Sequence, residues 1–230
     1  MTDSPKLLAA KAAIKEIKQG QKIGLGTGST AYHFVNLLGE MVANGFECVC
    51  VPTSIETEKQ ALSLGIKLSD LDSLGELDIV IDGADEIDGQ MALIKGGGGA
   101  LLREKIVADA SKRMIVIADS SKMVDCLGKF PLPIEVNSFG LGATKVRLQK
   151  IIKDFGGSGG LTLRKINDEE NFITDGGHLI FDAFFGRICD AKALSSKLLE
   201  VPGVVQHGLF IDLCDIAFIA DENGVKRYDR

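Results

Sequence analysis

Four short stretches of this chain combine residues that do chemistry with glycines that let backbone approach a ligand. The first, Gly24-Leu25-Gly26-Thr27-Gly28-Ser29-Thr30, lies between an apolar segment and an apolar-periodic one, so it reads as a strand-to-helix turn. Its amides and hydroxyls either hold a phosphate at a helix N-terminus or make no more than a tight turn. It is no dinucleotide fingerprint, because Ser29 takes the place of the third glycine and Val51-Pro52 lacks the ribose-binding acid; the lysine of a Walker A loop is missing as well. The second, Asp82-Gly83-Ala84-Asp85-Glu86-Ile87-Asp88, puts carboxylates after an apolar strand. It is either a ligand-binding strand end or a solvated acidic turn, and it lacks the ligand alternation of an EF-hand. The third is Lys95-Gly96-Gly97-Gly98-Gly99-Ala100-Leu101-Leu102-Arg103-Glu104-Lys105. A glycine costs roughly 0.5–1 kcal/mol relative to alanine in regular structure, so four in a row ask for a reason. Amides aimed at a developing negative charge beside Lys95 supply one, and a flexible linker into a helix is the alternative. The fourth, Ala118-Asp119-Ser120-Ser121-Lys122, again follows an apolar strand, where Lys122 either reaches an anion across the sheet edge or is a solvated turn lysine.

These stretches need a sheet to position them. Ser4-Pro5 starts a helix whose apolar residues Leu7, Ala10, Ile14 and Ile17 run toward Gly20. Strands are expected at 22–26, 47–51, 66–68, 78–82 and 114–118, with a hairpin-like segment through Met91 to Ile94. Helices are expected after Thr30, after a Thr53/Glu56 capping box, and from about Gly99 to Lys112. Alternating helices and wholly apolar strands argue for a mostly parallel sheet covered on both faces, a Rossmann-like α/β fold. Phe130-Pro131-Leu132-Pro133 then makes a stiff connection. Beyond it, strand 132–136, helix 143–155, strands 161–164 and 178–184, helix 191–199 and strand 204–210 follow the β-α-β-β-α-β order of a ferredoxin-like unit. The last apolar run, Ile216 to Ala220, has no partner there and returns to the first sheet. The expected division is 1–130 with 211–230 as a Rossmann-like catalytic domain and 131–210 as an inserted ferredoxin-like α+β domain.

Composition narrows the function. The chain has 230 residues, 45% hydrophobic and 25% charged, with a net charge of −6, so it reads as globular and disfavours non-specific binding to nucleic acid or anionic lipid. Its 27 glycines cluster at Gly24 to Gly28, Gly96 to Gly99 and Gly156 to Gly160. Five scattered cysteines without a Cys-x-x-Cys pair suggest neither a disulfide framework nor a zinc site. Three distant histidines give no metal motif, and neither a signal peptide nor a membrane span is visible, so a cytoplasmic chain is expected.

Taken together, TGST at 27–30, DGAD at 82–85, KGGGGALLREK at 95–105 and DSSK at 119–122 closely resemble type A ribose-5-phosphate isomerase in order and spacing, over essentially the whole chain. The resemblance implies interconversion of D-ribose 5-phosphate and D-ribulose 5-phosphate without cofactor or metal, by a homodimer or homotetramer. By similarity, Thr27, Gly28, Ser29 and Thr30, then Asp82, Gly83, Ala84 and Asp85, then Lys95, Gly96, Gly97, Gly98 and Lys122 contact substrate, and Glu104 is the proton acceptor. Lys6 stands where the family often places a phosphate-contacting lysine. The chemistry agrees: one carboxylate can move a proton between C2 and C1 of an enediolate if a cation and amides hold the oxyanion, as Lys95 and the glycines would. Asp82 is the candidate for opening the furanose, with Asp85 orienting hydroxyls. A non-catalytic sugar-phosphate sensor, and a relative of CoA-transferases or amino-sugar-phosphate isomerases, are the competing classes.

Overall fold

Ser4 caps the first helix of the computed structural model, which describes residues 3–157 and 160–230, by accepting from the Leu7 amide with Pro5 at the first helical position. In chain order the elements are α1 (Pro5–Ala13), β1 (Lys22–Leu25), α2 (Ser29–Ala43), β2 (Val49–Pro52), α3 (Ile55–Ser63), α4 (Leu71–Leu74), β3 (Ile79–Asp82), β4 (Glu86–Ile87), β5 (Leu93–Ile94), α5 (Leu101–Asp109) and β6 (Met114–Asp119). They continue as β7 (Leu132–Val136), α6 (Leu141–Asp154), β8 (Leu161–Leu163), β9 (Leu179–Ala183), α7 (Ala191–Leu199), β10 (Val204–His207), β11 (Leu209–Phe210), β12 (Cys214–Asp221) and β13 (Gly224–Asp229). The chain divides into two units, Met1–Ala84 with Arg103–Met123 and Leu213–Arg230, and Asp85–Leu102 with Val124–Asp212.

The larger unit holds a six-stranded sheet of order β13-β12-β6-β3-β1-β2, parallel except for β13. Ile23, Leu25, Ile79, Ile81, Ile115 and Ile117 are buried within it against Ala9, Ala10 and Ala13 of α1 and Phe34 and Leu38 of α2, which is why its strands read as continuous apolar runs. From β1 the chain moves to β2 on one side and returns to β3 on the other. The C-terminal ends of β1 and β3 are therefore a topological switch point, where open α/β sheets bind ligands. As expected, β12 returns to this sheet and pairs with β6.

The smaller unit contains an antiparallel sheet of order β10-β7-β9-β8, the 4-1-3-2 arrangement of a ferredoxin-like fold. Leu132, Ile134 and Val136 pack with Leu148 and Ile152 of α6 and with Leu194 and Leu198 of α7. It also contains a small sheet of order β11-β5-β4.

Several boundaries differ from the sequence reading. The segment Asp85–Leu102 joins the smaller unit rather than 1–130, because β5 pairs with β11 on one side and β4 on the other, and because the Val124 amide donates to Ile87 O at 2.9 Å. The division after 130 falls instead at Met123 and Val124, and that after 210 at Asp212 and Leu213. Ser54, not Thr53, caps α3: Ser54 Oγ accepts from the Thr57 amide at 3.1 Å, while the Thr53 amide extends the β-ladder to Leu25 O at 2.9 Å. Ile66 to Leu68 makes a single bridge, between Leu68 and Cys50. The expected strand 204–210 breaks at Gly208, whose amide serves Pro133 O while its carbonyl accepts from the Lys95 amide, so the chain changes partner there. The exposed, charged strand β13 was not expected. Of the third glycine cluster, residues 158 and 159 lie outside the described residues.

Candidate active site

In the larger unit the site begins where β1 and β3 end. Asp82 is fully buried, and its Oδ1 accepts from the Thr27 amide at 3.1 Å and the Gly83 amide at 2.7 Å. A Cβ on Gly26 would collide with this carboxylate, so the close approach of the two strand ends requires glycine there. Gly28 takes φ +106° at the N-cap of α2, which makes Ser29 and Thr30 the first residues of the helix. First-turn amides have no intrahelical acceptor, and this first turn contains no acidic residue, so it presents positive potential to an anion. Lys6 on α1 adds a cation: its Nζ donates to Ser29 Oγ at 2.8 Å.

The Thr27 side chain faces the other way. Its Oγ1 lies 2.7 Å from Thr53 Oγ1, 2.8 Å from Ser54 Oγ and 3.2 Å from Thr57 Oγ1, in a pocket of hydroxyls at the start of α3. Lys122 ends the 3-10 turn Ser120–Lys122 that follows β6, at the same C-terminal edge of the sheet as the end of β3. Glu104, 4% exposed, lies in the first turn of α5. Val107, three residues on and so on the same helix face, packs close enough to Gly24 of β1 that a Cβ there would clash. Next to Glu104, burial pushes the Lys105 amine down to about 7.

The smaller unit carries Asp85, Lys95 and the glycines. Asp85 Oδ2 accepts from the Gly97 amide at 2.7 Å, and a Cβ on Gly97 would collide with the same carboxylate. Lys95 is 2% exposed; its amide is tied to Gly208 O at 2.9 Å and its Nζ lies 5.5 Å from the centre of the Phe210 ring. Gly96 and Gly99 take φ of +95° and +84°, and the Gly99 amide closes the turn on Gly96 O at 2.9 Å. Gly97 and Gly98 form its exposed crest. The run is thus a built turn rather than a flexible linker.

Sequence reasoning missed the groups behind these loops. Arg164 Nη1 donates to Gly96 O at 2.8 Å and Gly97 O at 3.1 Å, and Asp182 grips the guanidinium through Nε at 2.9 Å and Nη2 at 2.5 Å. No local signal marks Arg164, which is 68 residues from Gly96. Thr53, Ser54 and Thr57 carried a signal, a run of hydroxyl residues directly after an apolar strand. Two further buried carboxylates have structural partners: Glu86 accepts from the Gly128 and Phe130 amides at 2.7 and 2.6 Å, and Glu135 from Thr174 and His178. Among the described residues, no group of three or more His, Cys, Asp or Glu is arranged to hold a metal ion.

Comparison with known proteins decides between the classes. The family described as ribose 5-phosphate isomerase A (phosphoriboisomerase A) matches residues 49–224. The chain belongs to this family. A ribose-5-phosphate isomerase A of Rhodopseudomonas palustris (strain BisB18) is 56% identical over 229 residues, covering 100% of this chain and 99% of the relative. The solved ribose 5-phosphate isomerase of Plasmodium falciparum superposes with a TM-score of 0.91 at 37% identity, covering 98% of this chain and 97% of that one. A D-ribose-5-phosphate isomerase in complex with phospho-erythronic acid gives a TM-score of 0.91 at 38% identity, with 98% and 97% coverage. No helix among the described residues is long and apolar enough to cross a membrane.

Proposed function

We infer that this member of the ribose 5-phosphate isomerase A family interconverts D-ribose 5-phosphate and D-ribulose 5-phosphate through an enediolate. One observation supports this most: Asp82, Lys95 and Glu104, three ionisable side chains of the shared motifs, are 0%, 2% and 4% exposed. Burying such groups is costly, and a fold that keeps three of them has a use for them.

In this reading the first turn of α2 with Lys6 and Lys122 holds the phosphate, and Asp82 moves a proton from the anomeric hydroxyl to the ring oxygen as the furanose opens. Glu104 then accepts the C2 proton. The C–H electrons form the C1–C2 double bond while the carbonyl electrons pass to O1, where the Lys95 ammonium and the Gly98 amide balance the charge, the Gly97 amide being engaged by Asp85. A proton passes from O2 to O1, Glu104 returns its proton to C1, and the carbonyl is left at C2. Asp85 orients substrate hydroxyls. That a relative binds phospho-erythronic acid supports the scheme, since a phosphorylated sugar acid presents a carboxylate where the enediolate oxygens would lie.

A coupled assay with ribose 5-phosphate tests the reaction: turnover is expected without added cofactor, whereas tight binding without turnover would favour the sensor and leave Glu104 idle. A cytoplasmic homodimer or homotetramer is the setting proposed, on the family's habit; light scattering of the purified protein reads its mass.

A further inference from the structure

Each aspartate of the DGAD motif accepts from the N–H of a peptide group contributed by a glycine loop, and the carbonyl of that same peptide is held from behind; Asp82 also accepts from the Gly83 amide that follows it. The Gly26–Thr27 peptide donates from Thr27 N to Asp82 Oδ1 at 3.1 Å and accepts at Gly26 O from Thr57 Oγ1 at 3.0 Å. The Gly96–Gly97 peptide donates from Gly97 N to Asp85 Oδ2 at 2.7 Å and accepts at Gly96 O from Arg164 Nη1 at 2.8 Å. A peptide group is planar with its N–H and C=O opposed, so a partner on the oxygen sets the direction in which the N–H points. We infer that Thr57 and Arg164 are positioning residues that aim Asp82 and Asp85 through these two peptides. The inference rests on the roles given to the two aspartates above.

The hydrogen count at Thr57 supports it. Thr57 spends its one hydroxyl hydrogen on Gly26 O, Ser54 donates to Thr57 at 3.1 Å, and Thr27 donates to Ser54 at 2.8 Å. The 2.7 Å contact between Thr53 and Thr27 must then have Thr53 as donor, because the Thr27 hydrogen is already committed. The result is a one-way chain, Thr53 to Thr27 to Ser54 to Thr57 to the Gly26 carbonyl, with no freedom to reverse. Thr53, Ser54 and Thr57 are all buried, so water does not compete for these hydrogens. In the smaller unit the same service falls to a guanidinium that Asp182 fixes through two bonds and that bridges two successive carbonyls. Both peptides start at glycine, where backbone rotation is least restrained, so an outside hold on the carbonyl matters most there.

The experiment compares steady-state turnover of ribose 5-phosphate, at high enzyme concentration so that slow variants stay readable, for Thr57→Val, Thr57→Ser, Arg164→Met, Asp82→Asn, Asp85→Asn and the doubles T57V/D82N and R164M/D85N. T57V and R164M are expected to lower kcat about tenfold or more, T57S to stay within about threefold of wild type, and each double to lie within about twofold of its aspartate single, because a positioning residue has nothing left to aim. Melting curves of the singles identify any variant that fails to fold, for which Thr57→Ala and Arg164→Gln replace it under the same expectations. Doubles that lose the full extra factor, or T57V and R164M at wild-type kcat, overturn the inference. Wild-type rates in D82N and D85N overturn the aspartate roles themselves, and this inference with them.

Discussion

Lys6 Nζ donates to Ser29 Oγ at 2.8 Å, tying the first turn of α1 to the first turn of α2. The contact gives the phosphate-loop reading a cation beside the helix N-terminus, which an acidic chain of net charge −6 needs if it is to hold a dianion. A charge-assisted hydrogen bond is worth about 1.5–3 kcal/mol, so Lys6→Ala should raise KM for ribose 5-phosphate by roughly 10- to 100-fold. Inorganic phosphate should weaken as a competitor in parallel, with kcat nearly unchanged. Thr30→Ala should shift the same two constants in the same direction. If both constants keep their wild-type values in both variants, the phosphate lies elsewhere.

Lys95 is buried at 2% exposure with its ammonium 5.5 Å from the Phe210 ring centre, held by a main-chain bond to Gly208. Such a fixed cation serves charge that appears during reaction better than it serves the neutral carbonyl of the bound aldose. Lys95→Met keeps the apolar stem and removes the charge, and should lower kcat by about two to three orders of magnitude with a smaller change in KM. A change confined to KM would make Lys95 a ground-state contact.

How much of this was legible beforehand depends on the range of the interactions involved. The strands that lead to Thr27 and end at Asp82 were visible because a sheet covered on both faces leaves unbroken apolar runs such as Ile79-Val80-Ile81. The chemistry at their ends was visible because glycine and charge interrupt those runs. The transfer of Asp85–Leu102 to the smaller unit was hidden, since it depends on β11 pairing with β5 across more than a hundred residues. The Thr53/Glu56 capping box was misplaced by one residue, because periodicity cannot tell that the Thr53 amide, just past β2, still binds Leu25 O and carries the ladder on by one residue. Arg164 was invisible for the same reason as β11: it acts on carbonyls that only the fold brings near it. β13 was missed because an edge strand as exposed as Gly224–Asp229 carries no apolar alternation.

Lys105 lies beside Glu104 on α5, and burial lowers its amine from 10.5 to about 7. Between those two values the unfolded chain carries a proton that the folded chain lacks, so folding stability from this group rises with pH across the window. The cost is fully present below pH 7 and fades as pH climbs toward 10.5. The slope is at most about 1.4 kcal/mol per pH unit. Urea titrations of wild type and Lys105→Met should therefore converge or cross as pH rises from 7 to 9, the wild-type midpoint gaining on that of the variant. Parallel curves would show that the folded chain keeps the proton on Lys105 throughout.

Glu104 should be the one base that carries the proton between C2 and C1. It stands in the first turn of α5, nearly fully buried, five residues beyond Gly99, where the glycine turn closes. Val107, on the same helix face, packs beside Gly24 of β1, which seats that face against the sheet. The helix follows the glycine turn and runs back along the strands, so Glu104, a turn before Val107, stands toward the strands' C-terminal ends, where Thr27 and Asp82 lie. Glu104→Gln keeps size and hydrogen bonding but cannot accept a proton from carbon, so kcat should fall by roughly three orders of magnitude or more while ribose 5-phosphate still binds. Calorimetry on the variant separates these two outcomes, because a lost binding signal would point to a broken site rather than a missing base. With substrate deuterated at C2, a base this well buried should deliver part of the label to C1 before solvent exchanges the rest. Substantial turnover in Glu104→Gln would move the base to Asp82 or Asp85, and complete loss of label by the wild type would show that the carboxyl proton exchanges with water faster than it returns to carbon.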